Sequence, residues 1–310
     1  MSVKGTLVVI GGPTASGKTH VAASLGKHFS TEVISADSRQ FYRAMRIGTA
    51  RPGEAELLGV PHHFLGHLEL EQTWSAGEFA RAAEPVLQRI LERTGIALLV
   101  GGSGLYIDAL LKGLDPLPAG DTRIRHQLQE RFQKEGLHPL LEQLQELDEA
   151  TWERIDRSNP HRVIRALEVC LSSGRPYSEQ RTAPQDRTDV RIVRIAMEWS
   201  RKELYERIDQ RVDRMIDDGL EDEARSLLPF RELNALRTVG YRELFAHFDG
   251  DLTREQAISA IKQHSRNYAK RQVTWTRRES TWNHLHPTDQ KNMLQLIGAV
   301  DRGSHLDADQ

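Results

Sequence analysis

Residues 12–19 are Gly12-Pro13-Thr14-Ala15-Ser16-Gly17-Lys18-Thr19, and this octapeptide points to an α/β architecture. It fits the P-loop pattern Gly-x-x-x-x-Gly-Lys-[Ser/Thr] in full. Before it, Thr6 to Ile10 is a short, apolar, β-branched run that reads as a buried parallel strand. After it, Lys18 to His28 continues as a helix with Val21, Ala22 and Leu25 on one face. Free backbone N–H groups and a helix N-terminus form a cradle for phosphate oxygens. Lys18 adds a positive charge, and the Thr19 hydroxyl is a candidate Mg²⁺ ligand. The motif specifies phosphate or diphosphate and leaves open which molecule carries it.

Working outward, Glu32 to Ala36 reads as a second strand, Ser75 to Thr94 as a long amphipathic helix and Ile96 to Val100 as another apolar strand. Strands alternating with helices predict an α/β fold, a parallel sheet covered on both faces. The character changes near Leu117-Pro118-Ala119-Gly120. Thr122 to Glu135, Leu137 to Glu146 and Pro160 to Leu171 have helical periods, and Gly174-Arg175-Pro176 stops the last of them. Val190 to Trp199 returns to strand-like sequence. Helical periods then resume over Arg201 to Asp218, Leu220 to Leu228, Val239 to Phe248 and Thr253 to Arg278. The expected organisation is a P-loop parallel-sheet core, 1–120 and 188–287, with a helical insertion domain at 121–187 and a helical C-terminal region. Residues 288–310 are expected to be a tail, disordered from Asp301.

An absence narrows the chemistry. P-loop NTPases usually hold Mg²⁺ with an aspartate ending a later hydrophobic strand. Here Ile96 to Val100 runs instead into Gly101-Gly102-Ser103-Gly104-Leu105-Tyr106. That turn brings backbone and the Ser103 hydroxyl to the carboxyl end of the sheet, where open α/β folds bind ligands; a tight turn without a ligand role is the plainer alternative. Asp37-Ser38-Arg39-Gln40 follows the second strand, expected beside the P-loop strand. Asp37 is therefore a candidate general base, or a capping carboxylate.

The net charge of −2 over 310 residues excludes a polycation, so any nucleic-acid site must be a local basic patch. Lys262, Arg266 and Lys270 are spaced i, i+4, i+8 on one helix face, and Arg271 extends the charge. Phosphate contact and a solvated face are equally open to this pattern. Two smaller clusters are His161-Arg162-Val163-Ile164-Arg165 and Arg237-Thr238-Val239-Gly240-Tyr241-Arg242. The single cysteine, Cys170, excludes intrachain disulfides and Cys-based zinc modules and reads as a small core residue. His62-His63 lacks a carboxylate at ligand spacing and makes a poor metal site. No apolar stretch is long enough to span a bilayer, and a cytoplasmic enzyme is expected.

Taken together, the motifs resemble the tRNA dimethylallyltransferases of bacterial type. The matching segments are Gly12–Thr19, Asp37–Gln40, Ile47-Gly-Thr-Ala-Arg-Pro52, Gly101–Tyr106, Arg162–Glu168, Val239-Gly-Tyr241 and Lys270-Arg-Gln-Val-Thr-Trp275. The turn often carries Thr where Ser103 stands, and Arg51 stands where Lys is commoner; hydroxyl and cation are kept. The resemblance implies that the P-loop holds the diphosphate of dimethylallyl diphosphate, with Mg²⁺ at Thr19. As acceptor it implies the exocyclic amine of the adenine 3′-adjacent to the anticodon. It also implies Asp37 as general base, Ser103 near the reacting centre and Arg211 on the diphosphate. The tRNA anticodon stem-loop is expected to meet Asp37, Ser38, Arg39, Gln40 and Ser103, then Arg125 and His161 to Arg165. Further contacts are expected at Arg237, Gly240, Tyr241 and Arg242 and at Lys262, Arg266, Lys270 and Arg271. A monomer is expected. The alternatives are a P-loop kinase or an isopentenyltransferase acting on free adenine nucleotides, which would need neither the insertion nor the basic helix.

Overall fold

The computed structural model describes residues 3–298 apart from Pro116, Ala119 and Ala183. Among these, β1 (Thr6–Gly11), β2 (Val33–Ser35), β3 (His62–His63), β4 (Ile96–Val100), β5 (Arg191–Met197) and β6 (Trp282–Leu285) form one sheet. The order is β3-β2-β4-β1-β5-β6, and every pairing is parallel. Val8 of β1 lies opposite Leu98 on one side and Val193 on the other. Successive side chains divide between the faces. Leu7, Val9, Ala97 and Leu99 enter one core; Val8, Ile10, Leu98 and Val100 enter the second. Because both faces are covered, the strands read as unbroken apolar runs rather than alternating ones.

The helices are α1 (Lys18–His28), α2 (Ala76–Thr94), α3 (Gly104–Lys112), α4 (Thr122–Glu135), α5 (His138–Leu147), α6 (Glu149–Arg154) and α7 (Pro160–Ser173). They continue with α8 (Arg201–Asp217), α9 (Leu220–Leu227), α10 (Tyr241–Phe248), α11 (Arg254–Thr276) and α12 (Gln290–Gly298). Their ends follow local chemistry. Ser75 Oγ accepts the Glu78 N–H at 3.2 Å while the Glu78 carboxylate accepts the Ser75 N–H at 2.7 Å, a capping box that starts α2. Gly95, at φ 72°, ends it. Ser200 with Glu203 and Thr253 with Gln256 start α8 and α11 in the same way.

The chain divides into two compact units at Leu111/Lys112 and Asp186/Arg187. The sheet and its helices belong to the outer segments. The inner segment holds α4 to α7 around its own core of Leu128, Leu140, Leu144, Val163 and Leu167.

Three expectations need correction. β3 and β6 are absent from the sequence reading; both are edge strands, of two and four residues, too short to show a period. β2 is not beside the P-loop strand, because β4 pairs between them. Residues 290–298, read as the start of a tail, form α12, whose Met293 and Ile297 join Val21, Ala22 and Leu25 in the second core. The disorder expected from Asp301 lies outside the described residues.

Candidate active site

The P-loop leaves β1 through Gly12 (φ 135°) and Ala15 (φ 61°) and enters α1 at Gly17 (φ 87°). Gly12 packs against Met197 of β5, where a Cβ would lie 3.1 Å from the Met197 backbone N. The second glycine turn lies against it. Gly101 N–H donates to Ile10 O at 3.1 Å, and the Ala36 N–H donates to Val100 O at 2.7 Å. The carboxyl ends of β1, β4 and β2 are thereby tied in a row, with Ser103 between the P-loop and Asp37. Ser38 N–H donates to Ser103 Oγ at 3.1 Å, and the Ser103 hydroxyl reaches the Ser38 hydroxyl at 3.2 Å. Asp37 Oδ1 accepts the Arg39 N–H at 3.1 Å.

Two helices complete the cradle. On α8, Arg211 Nη1 donates to Thr14 Oγ1 at 3.2 Å, and one turn earlier Arg207 Nε donates to Ala15 O at 2.9 Å. Trp199 donates from its indole N–H to Ser16 O at 3.0 Å, and the Arg207 guanidinium stacks 4.3 Å from its ring centroid. On α11, the buried Gln272 bridges the two turns: its Oε1 accepts the Thr14 N–H at 2.7 Å, and its Nε2 donates to Gly102 O at 3.0 Å. Ser16 is wholly buried, with no hydrogen-bond partner for its hydroxyl.

The P-loop, Asp37, Arg207, Arg211 and Gln272 line a cleft of about 1160 Å³. Lys18, Thr19, Asp37, Arg211 and Tyr268 all face it. Lys18 Nζ donates to Pro13 O at 2.6 Å. Burial pulls its ammonium down to about 8; the Asp37 carboxylate opposes this, and the Arg211 charge adds to it. Burial also lowers Arg211, again opposed by Asp37. Burial and the Asp37 charge push the Tyr268 phenol up to about 12. Lys18 and Arg211 are thus cations whose charge burial penalises, and with the further arginines lining the cleft they outnumber its carboxylates, a favourable field for a polyanion. Thr19 sits in the first turn of α1. No group of three or more His, Cys, Asp or Glu among the described residues could by itself hold a metal.

The expected RNA contacts divide. Arg237, Arg242 and Arg271 are exposed and line the cleft, and Gly240 is buried at φ 100° in its wall. Arg39 lies against the Asn234 and Ala235 carbonyls, at 2.8 and 3.1 Å. Gln40 donates to Thr49 O and Ala50 O, at 3.1 and 3.2 Å, so its amide supports a loop. In the inner unit His161 and Arg162 are exposed. Arg125 and Arg165 pair with the buried Glu168 at 2.7 and 3.0 Å.

Several of these expectations are corrected. Val163 and Ile164 are buried in the inner unit's core, so their side chains pack there and present no surface to a ligand. Tyr241 is wholly buried, its hydroxyl donating to Glu223 at 2.6 Å. Lys262 pairs with Asp213 and Arg266 with Asp209, each at 2.6 Å, so the basic face of α11 lies on an acidic face of α8. Of that triplet Lys270 is exposed.

From sequence, Tyr268 reads only as an aromatic among the basic residues of the C-terminal helix, Gln272 only as part of the matched segment 270–275 and Arg207 only as the turn before Arg211, while Trp199 and Glu223 have no assigned role. A signal existed for two of them: Ile261, Ser265, Tyr268 and Gln272 share a helical face of α11, and that face lines the cleft.

A family model described as IPP transferase matches residues 40–279. The chain is 42% identical to tRNA dimethylallyltransferase 1 of Phocaeicola vulgatus, over 96% of this chain and 99% of that one. It is 44% identical to the tRNA dimethylallyltransferase of Christiangramia forsetii, over 88% and 90%. The crystal structure of a full-length tRNA isopentenylpyrophosphate transferase from Bacillus halodurans superimposes with a TM-score of 0.69 at 34% identity, covering 96% of each chain. A eukaryotic dimethylallyltransferase acting on tRNA, 22% identical with a TM-score of 0.76, shares the fold over 95% of this chain and 77% of its own. With the P-loop, the second glycine turn and Asp37 gathered at one cleft, this chain belongs to the IPP transferase family.

Proposed function

We infer that this protein transfers a dimethylallyl group from dimethylallyl diphosphate to the exocyclic amine of the adenine 3′-adjacent to the anticodon in tRNA. The observation that carries the reading is that Asp37 lines one cleft with Lys18 and Arg211, with Ser103 hydrogen-bonded to the neighbouring Ser38, in a chain of this family.

The adenine amine is a weak nucleophile because its lone pair is delocalised into the ring. The allylic carbon compensates by carrying positive charge as the C–O bond breaks and diphosphate leaves with the electron pair. P-loop N–H groups, Lys18 and Arg211 take up the growing negative charge. The amine nitrogen bonds to the carbon, and Asp37 accepts its proton. Ser103 holds the acceptor base at the cleft, beside Ser38. Thr19 supplies one hard oxygen, so Mg²⁺ at this site would draw most of its oxygens from the diphosphate and would help neutralise it. The adenine must leave its stack to reach the carbon, at a cost lower in a single-stranded loop than in a duplex. The exposed Arg237, Arg242 and Arg271, with His161 and Arg162 of the inner unit, are the proposed phosphate contacts. The enzyme is assigned to the cytoplasm, where its tRNA substrate is found; no helix among the described residues is long and apolar enough to cross a membrane.

The test is incubation with labelled dimethylallyl diphosphate and either tRNA or AMP. Label is expected in tRNA alone. Label in AMP, or ATP-dependent phosphorylation without prenyl transfer, overturns the reading.

A further inference from the structure

Glu223 lies in the first turn of α9, where a carboxylate ordinarily faces solvent beside the helix N-terminus. Here it is saturated by donors from elsewhere in the chain. Oε2 accepts the N–H groups of Arg46 and Ile47 at 3.0 and 2.8 Å. Oε1 accepts the Gly48 N–H at 2.9 Å and the Tyr241 hydroxyl at 2.6 Å. Three consecutive backbone N–H groups converging on one carboxylate fix a turn that has no ladder of its own, and charge strengthens each bond. The Tyr241 ring closes the arrangement from below. A Cβ on Gly48 would lie 2.5 Å from Tyr241 Cζ, so only glycine lets the turn settle there. Burial and the adjacent carboxylate push the Tyr241 phenol up, which keeps it a donor.

The residues after this turn reach the catalytic cleft. Thr49 O accepts Gln40 Nε2 at 3.1 Å and Arg211 Nη2 at 3.4 Å. The other end of the same guanidinium meets Thr14 Oγ1 of the P-loop at 3.2 Å. An unbroken chain of contacts therefore runs from Glu223 through residues 46–49 to Arg211 and the P-loop. Arg211 is half-buried in the cleft, and a partly desolvated guanidinium without fixed acceptors would drift or recruit water. Ile47, inside the clamped turn, lines the cleft as well.

We propose that Glu223 and Tyr241 form a clamp that aims Arg211 at the prenyl diphosphate, which makes Glu223 a positioning residue for the donor half of the reaction and not for the RNA. This rests on the donor-site reading above.

The test uses the full-length protein with Glu223→Gln and Tyr241→Phe. Glutamine is nearly the same shape but turns an N–H₂ toward the backbone N–H groups; phenylalanine keeps the ring and removes one donor. Glu223→Gln is expected to lower kcat/KM for dimethylallyl diphosphate by about tenfold to a hundredfold while tRNA Kd stays within about threefold. Tyr241→Phe is expected to show the same donor-only pattern, at about tenfold or less. Donor kinetics unchanged in a folded Glu223→Gln protein overturn the clamp, as does an equal loss in donor kinetics and tRNA affinity. If Glu223→Gln does not fold, Tyr241→Phe decides, and wild-type donor kinetics in it overturn the clamp. Absence of prenyl transfer by the wild type would overturn the functional reading itself, a result distinct from failure of the clamp.

Discussion

At the scale of single residues, Asp37 and Lys18 carry opposite burdens. Asp37→Ala removes the proton acceptor and leaves the cradle's hydrogen bonds, which run through Thr14, Gln272 and Arg211, in place, while it also removes the charge that opposes the burial of Lys18 and Arg211. Single-turnover prenylation is expected to fall on the order of 10²–10⁴ with tRNA Kd little changed, and near-normal turnover at saturating substrates would remove Asp37 from the role. Lys18 is held near 8, below its ordinary 10.5, chiefly by burial. Its charged form therefore costs folding stability. That cost is complete below about 8 and is relieved as pH rises from there toward 10.5. Lys18→Met should accordingly raise the unfolding midpoint of the unliganded protein near neutral pH, by roughly 2–4 °C for each kcal/mol relieved. It should also weaken the donor. Wild-type donor affinity should be level below about pH 8 and decline above it as the ammonium titrates. A Lys18→Met protein less stable than wild type at pH 7 would show that the ammonium is not strained in the empty cleft.

At the scale of elements, α8 and α11 are matched. Asp209 and Asp213 are spaced i, i+4 on α8, facing Arg266 and Lys262 at the same spacing on α11. Leu204, Ile208 and Ala269 seal the contact beside Ala15 of the P-loop. The same two helices carry Arg207, Arg211 and Gln272 onto the cradle. Replacing Lys262, Arg266 and Lys270 together by Gln should therefore change the slope of log tRNA affinity against log salt by about 1, the share of Lys270 alone. A change of about 3 would mean that the ion pairs open to phosphate when tRNA binds. Stability should drop by ~1 kcal/mol or less, because partly exposed pairs are worth little. Chemical denaturation of the triple variant measures this directly.

At the scale of the whole molecule, the two units have separate cores. Leu140 and Leu144 of α5 are wholly buried in a cluster made only of inner-unit residues. Leu140→Ala should cost about 2–5 kcal/mol within that unit. Hydrogen exchange should then speed up across α4 to α7 while β1, β4 and β5 keep their protection. Loss of protection in the sheet as well would show that the units unfold as one. Transfer to tRNA should fall in this variant, whereas binding of the donor, built wholly from the outer segments, should persist.

What the sequence determined by itself is local. The P-loop, the Gly101–Tyr106 turn and the strands β1, β2, β4 and β5 were legible because buried parallel strands are continuous apolar runs and glycines mark the turns. Helices were legible from caps and from the 3.6-residue period. The candidate nucleophile-side residues Asp37 and Ser103 were legible from their place at strand ends. The tertiary structure decided whatever depends on which faces meet. A stripe of lysine and arginine looks the same whether it meets phosphate or the aspartates of another helix, and only packing showed the pairs Lys262–Asp213 and Arg266–Asp209. Two-residue β3 and four-residue β6 have no period to read and exist because a neighbouring strand offers hydrogen bonds. Tyr241, Gln272 and Glu223 acquire their work from partners between 18 and 258 residues away. Contacts at such separations leave no trace in local spacing, since most of the groups they satisfy are backbone N–H and C=O atoms that every residue carries.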